Sequence, residues 1–177
     1  MTSAIKLIDN LTTPRAILIL LILYGAVFGT ILFTLGQLTE ISGGYGILDF
    51  DQGYDMARVQ EVLGSYGTEG MRLNGRIQFF DLFNPALYSL IAAVFTRLLW
   101  RERGPDWLCL APLLGGLGDY AENVTLFLLA RSFPEISTGL VSASSTLSFA
   151  KNGLMVIGML PLLVGIVLLV LRLMRRT

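Results

Sequence analysis

Histidine is absent from this chain, and cysteine occurs once. Without imidazole, the usual ligand for haem, zinc or copper is missing, and so is the commonest proton carrier near neutral pH. A lone Cys109 forbids an intrachain disulfide and a CxxC pair, which excludes the quinone-linked thiol oxidoreductases that also have four membrane helices. Charge is scarce as well, at 15% of residues against roughly 25% in an average soluble domain. Lys plus Arg and Asp plus Glu both number 13, so the net charge is zero and the basic surface that nucleic acid requires is not there. The composition calls for no metal and no cofactor, and any chemistry would run on carboxylates, Lys, Arg, Tyr or hydroxyls.

Apolar residues are abundant: 54% of the chain, with a mean hydropathy of +0.68. That balance predicts an integral membrane protein. Crossing a hydrocarbon core takes about 20 residues at 1.5 Å each, and four stretches qualify. They run from about Ala16 to Leu38, Gln78 to Leu99, Trp107 to Ala130 and Ser145 to Leu173. The first carries no charge, with Thr13 as N-cap and Pro14 at the first helical position. It is too long for the core of a cleaved signal peptide and is read as retained.

The predicted fold is all-α, a single-domain bundle of four transmembrane helices with a helical outer loop between helices one and two. Lys6, Arg15, Arg97, Arg101, Arg103, Arg172, Arg175 and Arg176 fall on one side; Arg58, Arg72, Arg76 and Arg131 fall on the other. Positive charge stays inside, so both termini are expected in the cytoplasm. The outer segment, Thr39 to Arg76, opens with a flexible turn. It then places Met56, Val59, Val62 and Leu63 at helical spacing behind Asp55, as in a short amphipathic helix lying over the bundle. The stretch TGLVSASSTLS from Thr138 to Ser148 is rich in small residues, which let helices pack closely in lipid.

The third stretch carries the anomaly, GDYAEN. Gly115, Gly116, Asp119, Glu122, Asn123 and Leu126 follow i, i+3, i+4 spacing and share one helical face, which cannot point at lipid. Asp119 lies 12 residues from Trp107 and 11 from Ala130, near the midplane. Two ionised carboxyls at about 2.5 to 3.5 kcal/mol each would cancel most of the insertion energy supplied by the apolar residues of this helix. Partners or protonation are needed. Lys151 and Asn152 on the fourth helix match the depth of Glu122, so an ion pair between Glu122 and Lys151 is expected. On the second helix Asp81, Asn84 and Tyr88 form another inward stripe, and Pro85 frees the carbonyl of Asp81.

Two readings stay open. One is a structural network that pins helix register. The other is an outer-half pocket lined by Asp81, Asn84, Tyr88, Asp119, Glu122, Asn123, Lys151 and Asn152, because intramembrane ionisable groups mark function by default. Three carboxyls facing one intramembrane lysine leave a surplus that favours the pocket.

The order YDMARVQEVLGSYGTEGMRLN, FFDLFNPALYSLI, GDYAENVTL, SSTLSFAK resembles a broad group of bacterial four-helix membrane proteins over about residues 50 to 155. Matching positions are Gly64, Gly67 and Gly70 approximately, then Asp81, Pro85, Asp119, Glu122, Asn123 and Lys151. Asn74 departs from an expected aromatic, and the hydroxyl before the lysine is shifted to Thr146 or Ser148. The resemblance implies a shared four-helix fold in a bacterial inner membrane. The functional expectation is a pocket that binds or translocates a small amphipathic molecule, a lipid or a cation. The alternatives are an accessory subunit that docks on other membrane subunits or on a second copy of itself, and a lipid-modifying enzyme using carboxyl acid–base chemistry beside Lys151.

Overall fold

The computed structural model describes residues 3–51 and 53–175, and among them it is all-helical, without a strand. A short amphipathic helix, α1 (Ser3–Asn10), buries Ile5 and Ile8. Then α2 (Pro14–Ile41) starts where the Thr13 hydroxyl accepts from the Ala16 amide at 3.3 Å, and Pro14 fills the position whose N–H would have no partner. The loop after α2 turns through Gly43 and Gly44, whose φ values of 74° and 105° a side chain would resist. It then forms a 3-10 turn, Leu48–Phe50.

Capped by the Asp55 carboxylate on the Arg58 amide at 2.9 Å, α3 (Met56–Ser65) buries Val59, Val62 and Leu63. It is followed by α4 (Gly67–Asp81) and α5 (Asn84–Trp100). Pro85 has no N–H to give to the Asp81 carbonyl, so the chain cannot continue as one helix and breaks at Leu82 and Phe83. A second 3-10 turn, Asp106–Leu110, precedes α6 (Pro112–Ser132). Ser137 caps α7 (Thr138–Met174), accepting from the Leu140 amide at 3.2 Å.

These bounds correct the sequence-based ones. The stretch predicted to begin at Gln78 is two helices, and Asp81 ends the first of them. Trp107 belongs to the 3-10 turn, and α6 starts at Pro112. The small-residue stretch from Thr138 is already helix. Arg97 is no loop charge: it is buried in the last turn of α5. Arg176 lies outside the described residues.

Among the described residues three helical stretches are long and apolar enough to cross a membrane: Pro14–Ile41, Gly67–Trp100 and Thr138–Met174. At 21 residues α6 has the length, but Asp119, Glu122 and Asn123 dilute its apolar content. Packing absorbs those groups. Glycines let α6 lie against its neighbours, since a methyl at Gly115 would sit 3.2 Å from the Met155 Cα and one at Gly118 would sit 3.1 Å from the Lys151 Cα. The same holds toward α5, where a methyl at Gly116 would meet the Ser89 hydroxyl at 2.7 Å.

The tightest approach to backbone is at Gly158 on α7, where a methyl would come within 2.6 Å of the Ala111 carbonyl oxygen. Backbone cannot swing away as a side chain can. Gly158→Ala is therefore expected to cost about 1 to 3 kcal/mol through overpacking. Gly139→Ala, with no atom within 4 Å of the added methyl, should leave the midpoint unchanged or raise it, since Ala favours helix over Gly. Thermal unfolding in detergent compares the two, and equal midpoints would show that the α6–α7 seam yields.

Two apolar clusters hold the molecule. One joins Ile31 and Leu38 of α2 to Val59, Val62, Leu73, Ile77, Leu129 and Val141. The other joins α1 to Leu20, Ala93, Val94 and Cys109. At its edge the Arg97 guanidinium bonds the Asp9 carboxylate at 2.7 Å and the Asp106 carboxylate at 2.5 Å. Asp119, Glu122 and Lys151 belong to neither cluster.

Candidate functional site

Lys151 is 6% exposed, and its ammonium is the centre of the polar site. It contacts the Glu122 carboxylate, lies 2.5 Å from Asp49 Oδ1 and 3.8 Å from Asp119 Oδ1. Glu122 is fully buried and also accepts from the Ser148 hydroxyl through its other oxygen. Spacing explains the convergence. Asp119 and Glu122 are three apart on α6, Ser148 and Lys151 are three apart on α7, and the Gly118 contact brings the two backbones close enough for short reach.

Asp49 was not anticipated. It sits in the 3-10 turn of the outer segment, 102 residues from Lys151 in sequence, and Leu48 beside it is buried at 4% exposure. The available signal was an aspartate flanked by Leu48 and Phe50, an apolar setting unusual for a solvated turn. An oxygen of each of Asp49, Asp119 and Glu122 lies within 4.8 Å of the others. A metal ion could bridge such a triad, but the Lys151 ammonium contacts all three and already serves as their cation.

Asp81 is different. Its Oδ1 accepts from the Asn84 amide at 3.0 Å, and it forms no ion pair among the described residues. The main-chain carbonyl freed by Pro85 accepts from the Asn123 amide at 3.4 Å, which ties α6 to the break between α4 and α5. Near it, the Tyr120 hydroxyl donates to the Leu82 carbonyl at 2.8 Å. Asn84 Oδ1 and the Tyr88 hydroxyl are buried without a hydrogen-bond partner among the described residues. Unsatisfied buried polar atoms are uncommon enough to call for a reason. Asn152 turns to its own helix instead, donating to the Ser148 carbonyl at 3.0 Å.

Beside Asp81 lies a cavity of about 30 Å³ lined by Asp49, Asp81, Asn74, Gln78 and Asn123 together with apolar side chains from Ile47 to Leu126. That exceeds the roughly 10 to 15 Å³ of such space that one buried water needs. The outer segment closes over the site through a second set of bonds. The Tyr54 hydroxyl is 2.6 Å from the Ser144 hydroxyl and receives a longer bond from Ser148 at 3.4 Å. Burial raises the phenol of Tyr54 above its ordinary value, so it stays protonated at neutral pH. On the outer surface Arg58 bonds Asp51 at 2.8 Å and Glu61 at 3.0 Å, while Tyr45 donates to Glu61 at 2.8 Å. The Tyr45 and Arg58 bonds hold the Glu61 carboxyl below its ordinary range.

The class these features define is a helical protein with, among the described residues, three helical stretches long and apolar enough to cross a membrane and a buried, carboxyl-rich ion cluster. No family model, curated protein or solved structure matches the chain.

Proposed function

We propose that this chain is an integral protein of four membrane spans, of the bacterial four-helix group it resembles, with a site in the outer half that binds a small cation. One observation carries the reading: three carboxyl groups, Asp49, Asp119 and Glu122, share a single lysine, and a fourth, Asp81, forms no ion pair among the described residues and borders a small cavity. Intramembrane carboxylates without a cation are costly, so a bound cation near Asp81 would relieve what the protein alone does not. Asn74, Gln78 and Asn123 on the same cavity wall carry neutral amide oxygens of the kind hard cations take.

The fourth span is α6. Its exposed side is Leu117, Val124, Phe127 and Leu128, and its polar side is covered by α5 and α7 as the bilayer requires. Lys6, Arg15, Arg101, Arg103, Arg172 and Arg175 then lie at the cytoplasmic end, and the site lies toward the opposite face.

Cavity size favours a small ligand: ammonium, or sodium or potassium stripped of most water, is about the size of the water the cavity admits, and tetramethylammonium is larger. Purified protein in detergent should therefore be stabilised saturably by at least one of the three small cations, by about 2.7 kcal/mol at a hundred times Kd. Tetramethylammonium at equal ionic strength should do nothing. Asp81→Asn should abolish the stabilisation. The proposal fails if none of the small cations gives a saturable shift, or if the shift survives Asp81→Asn unchanged.

A further inference from the structure

On the outside of α4 and α6 runs a groove of about 500 Å³, lined by Gly75, Phe79, Leu82, Val124, Phe127 and Leu128 on its apolar walls and by Gln78, Tyr120 and Asn123. Its volume is within the range of roughly 300 to 1,000 Å³ typical of ligand pockets. Exposure of its walls is high for large apolar side chains, with Phe79 at 56% and Val124 at 59%. Gln78 and Asn123 line both this groove and the small cavity that Asp49 and Asp81 also line. The two spaces therefore share a wall of two amides, with an aliphatic environment on one side and carboxylates on the other.

We infer that groove and cavity form one site for an aliphatic primary amine, its chain lying in the groove and its ammonium reaching past Gln78 and Asn123 to Asp81. The inference rests on the cation-binding reading above and names the substrate class for it. Charge complementarity selects the head. Asp81 lacks a cation and Asp49 shares Lys151 with two other carboxylates, so a carboxylate or phosphate head would be repelled and an alcohol would leave the charge uncompensated. Size selects within cations, because an ammonium is about as large as the water that a cavity of about 30 Å³ admits. Charge-assisted hydrogen bonds from an ammonium are roughly twice as strong as neutral ones, and Asp81 is the carboxylate on the cavity wall that forms no ion pair among the described residues. A long chain, in turn, keeps the ligand in the bilayer and brings it to the groove laterally.

The test places a reporter in the groove. Phe127→Trp protein is reconstituted in phosphatidylcholine vesicles and titrated with chain-brominated octadecylamine, octadecanol or stearic acid, reading the quenching in excess of that in the unsubstituted protein. The amine is expected to quench at a mole fraction about tenfold lower than the alcohol or the acid, equivalent to about 1.4 kcal/mol. Asp81→Asn should remove that preference while leaving quenching by the alcohol unchanged. Equal quenching by all three heads overturns the inference and makes the groove an ordinary contact with bulk lipid. If ammonium stabilises the protein in detergent yet the three heads quench equally, the chain site fails and the cation site stands; if neither effect is seen, both fail. Should Phe127→Trp lower the unfolding midpoint, Val124→Trp reports from the same wall.

Discussion

Lys151→Met is expected to cost about 3 to 5 kcal/mol of stability, the penalty for removing one partner of a buried ion cluster. The side chain it replaces is the counter-charge for Glu122, Asp119 and Asp49 together, and methionine of similar length fills the space without offering charge. Glu122, fully buried, has no route to water. Protonation is its only recourse. Adding Glu122→Gln to Lys151→Met should therefore recover part of the loss, so that the double variant is more stable than the sum of the single changes, by a coupling of about 0.5 to 3 kcal/mol. Asp49→Asn should cost less than either change at Lys151 or Glu122, because the Asp49 side chain is 24% exposed and can rehydrate. Detergent unfolding followed by circular dichroism measures all four. A Lys151→Met protein as stable as the parent would show that the carboxyls are already neutral and that the lysine is dispensable.

The second large effect is expected at the other end of the bundle. Arg97→Leu should cost about 3 kcal/mol, since the guanidinium side chain is 8% exposed and its removal strands Asp9, at 17%. Asp106, with a side chain 46% exposed, sits in water and should contribute under about 1 kcal/mol. The Arg97 hydrogen bond holds the Asp9 carboxyl below its ordinary value of 3.8. A depressed carboxyl adds stability that is present in full above the unfolded value and lost as pH falls through the folded one. Acid lability below about pH 4 should therefore be blunted in Asp9→Asn, which begins less stable and has less to lose. Parallel stability curves from pH 7 to pH 3 for the parent and Asp9→Asn would refute the assignment.

Much of this was legible in the sequence, and the reason is periodicity. Helical spacing alone places Gly115, Gly116, Asp119 and Glu122 on one buried face, and the structure uses the glycines for approach and the carboxyls for the site. Depth counting along antiparallel helices sets Lys151 beside Glu122, and they touch. What spacing cannot show is a partner brought in by the fold. Asp49 comes from a turn whose place depends on Gly43, Gly44 and the docking of Leu48, none of which has a period. The helical character of residues 67–81 was hidden by Gly67, Gly70 and Gly75 and by Glu69, Arg72 and Arg76, which read as loop. Packing overrides that weak propensity: Leu73 and Ile77 are buried against Leu38 and Ile31 in one cluster. Asn152 shares the depth of Lys151, but a rotation of 100° per residue turns it toward its own backbone.

The glycine seam between α6 and α7 has a consequence for how charge is distributed between rigid and adjustable parts. Lys151, Glu122 and Asp119 stand on two helices whose backbones touch at Gly115, Gly118 and Gly158, so their mutual geometry cannot slide. Asp81 instead closes a helix at the Leu82–Phe83 break, and Asp49 hangs on a turn hinged at glycines. The molecule thus keeps one set of charges as a fixed ruler between two helices and carries the other two carboxylates at a helix end and in a turn, each tied in by a few named bonds. In the site proposed above, telling one guest from another would fall to Asp81 and Asp49, and the fixed set would supply the distance from which they are read.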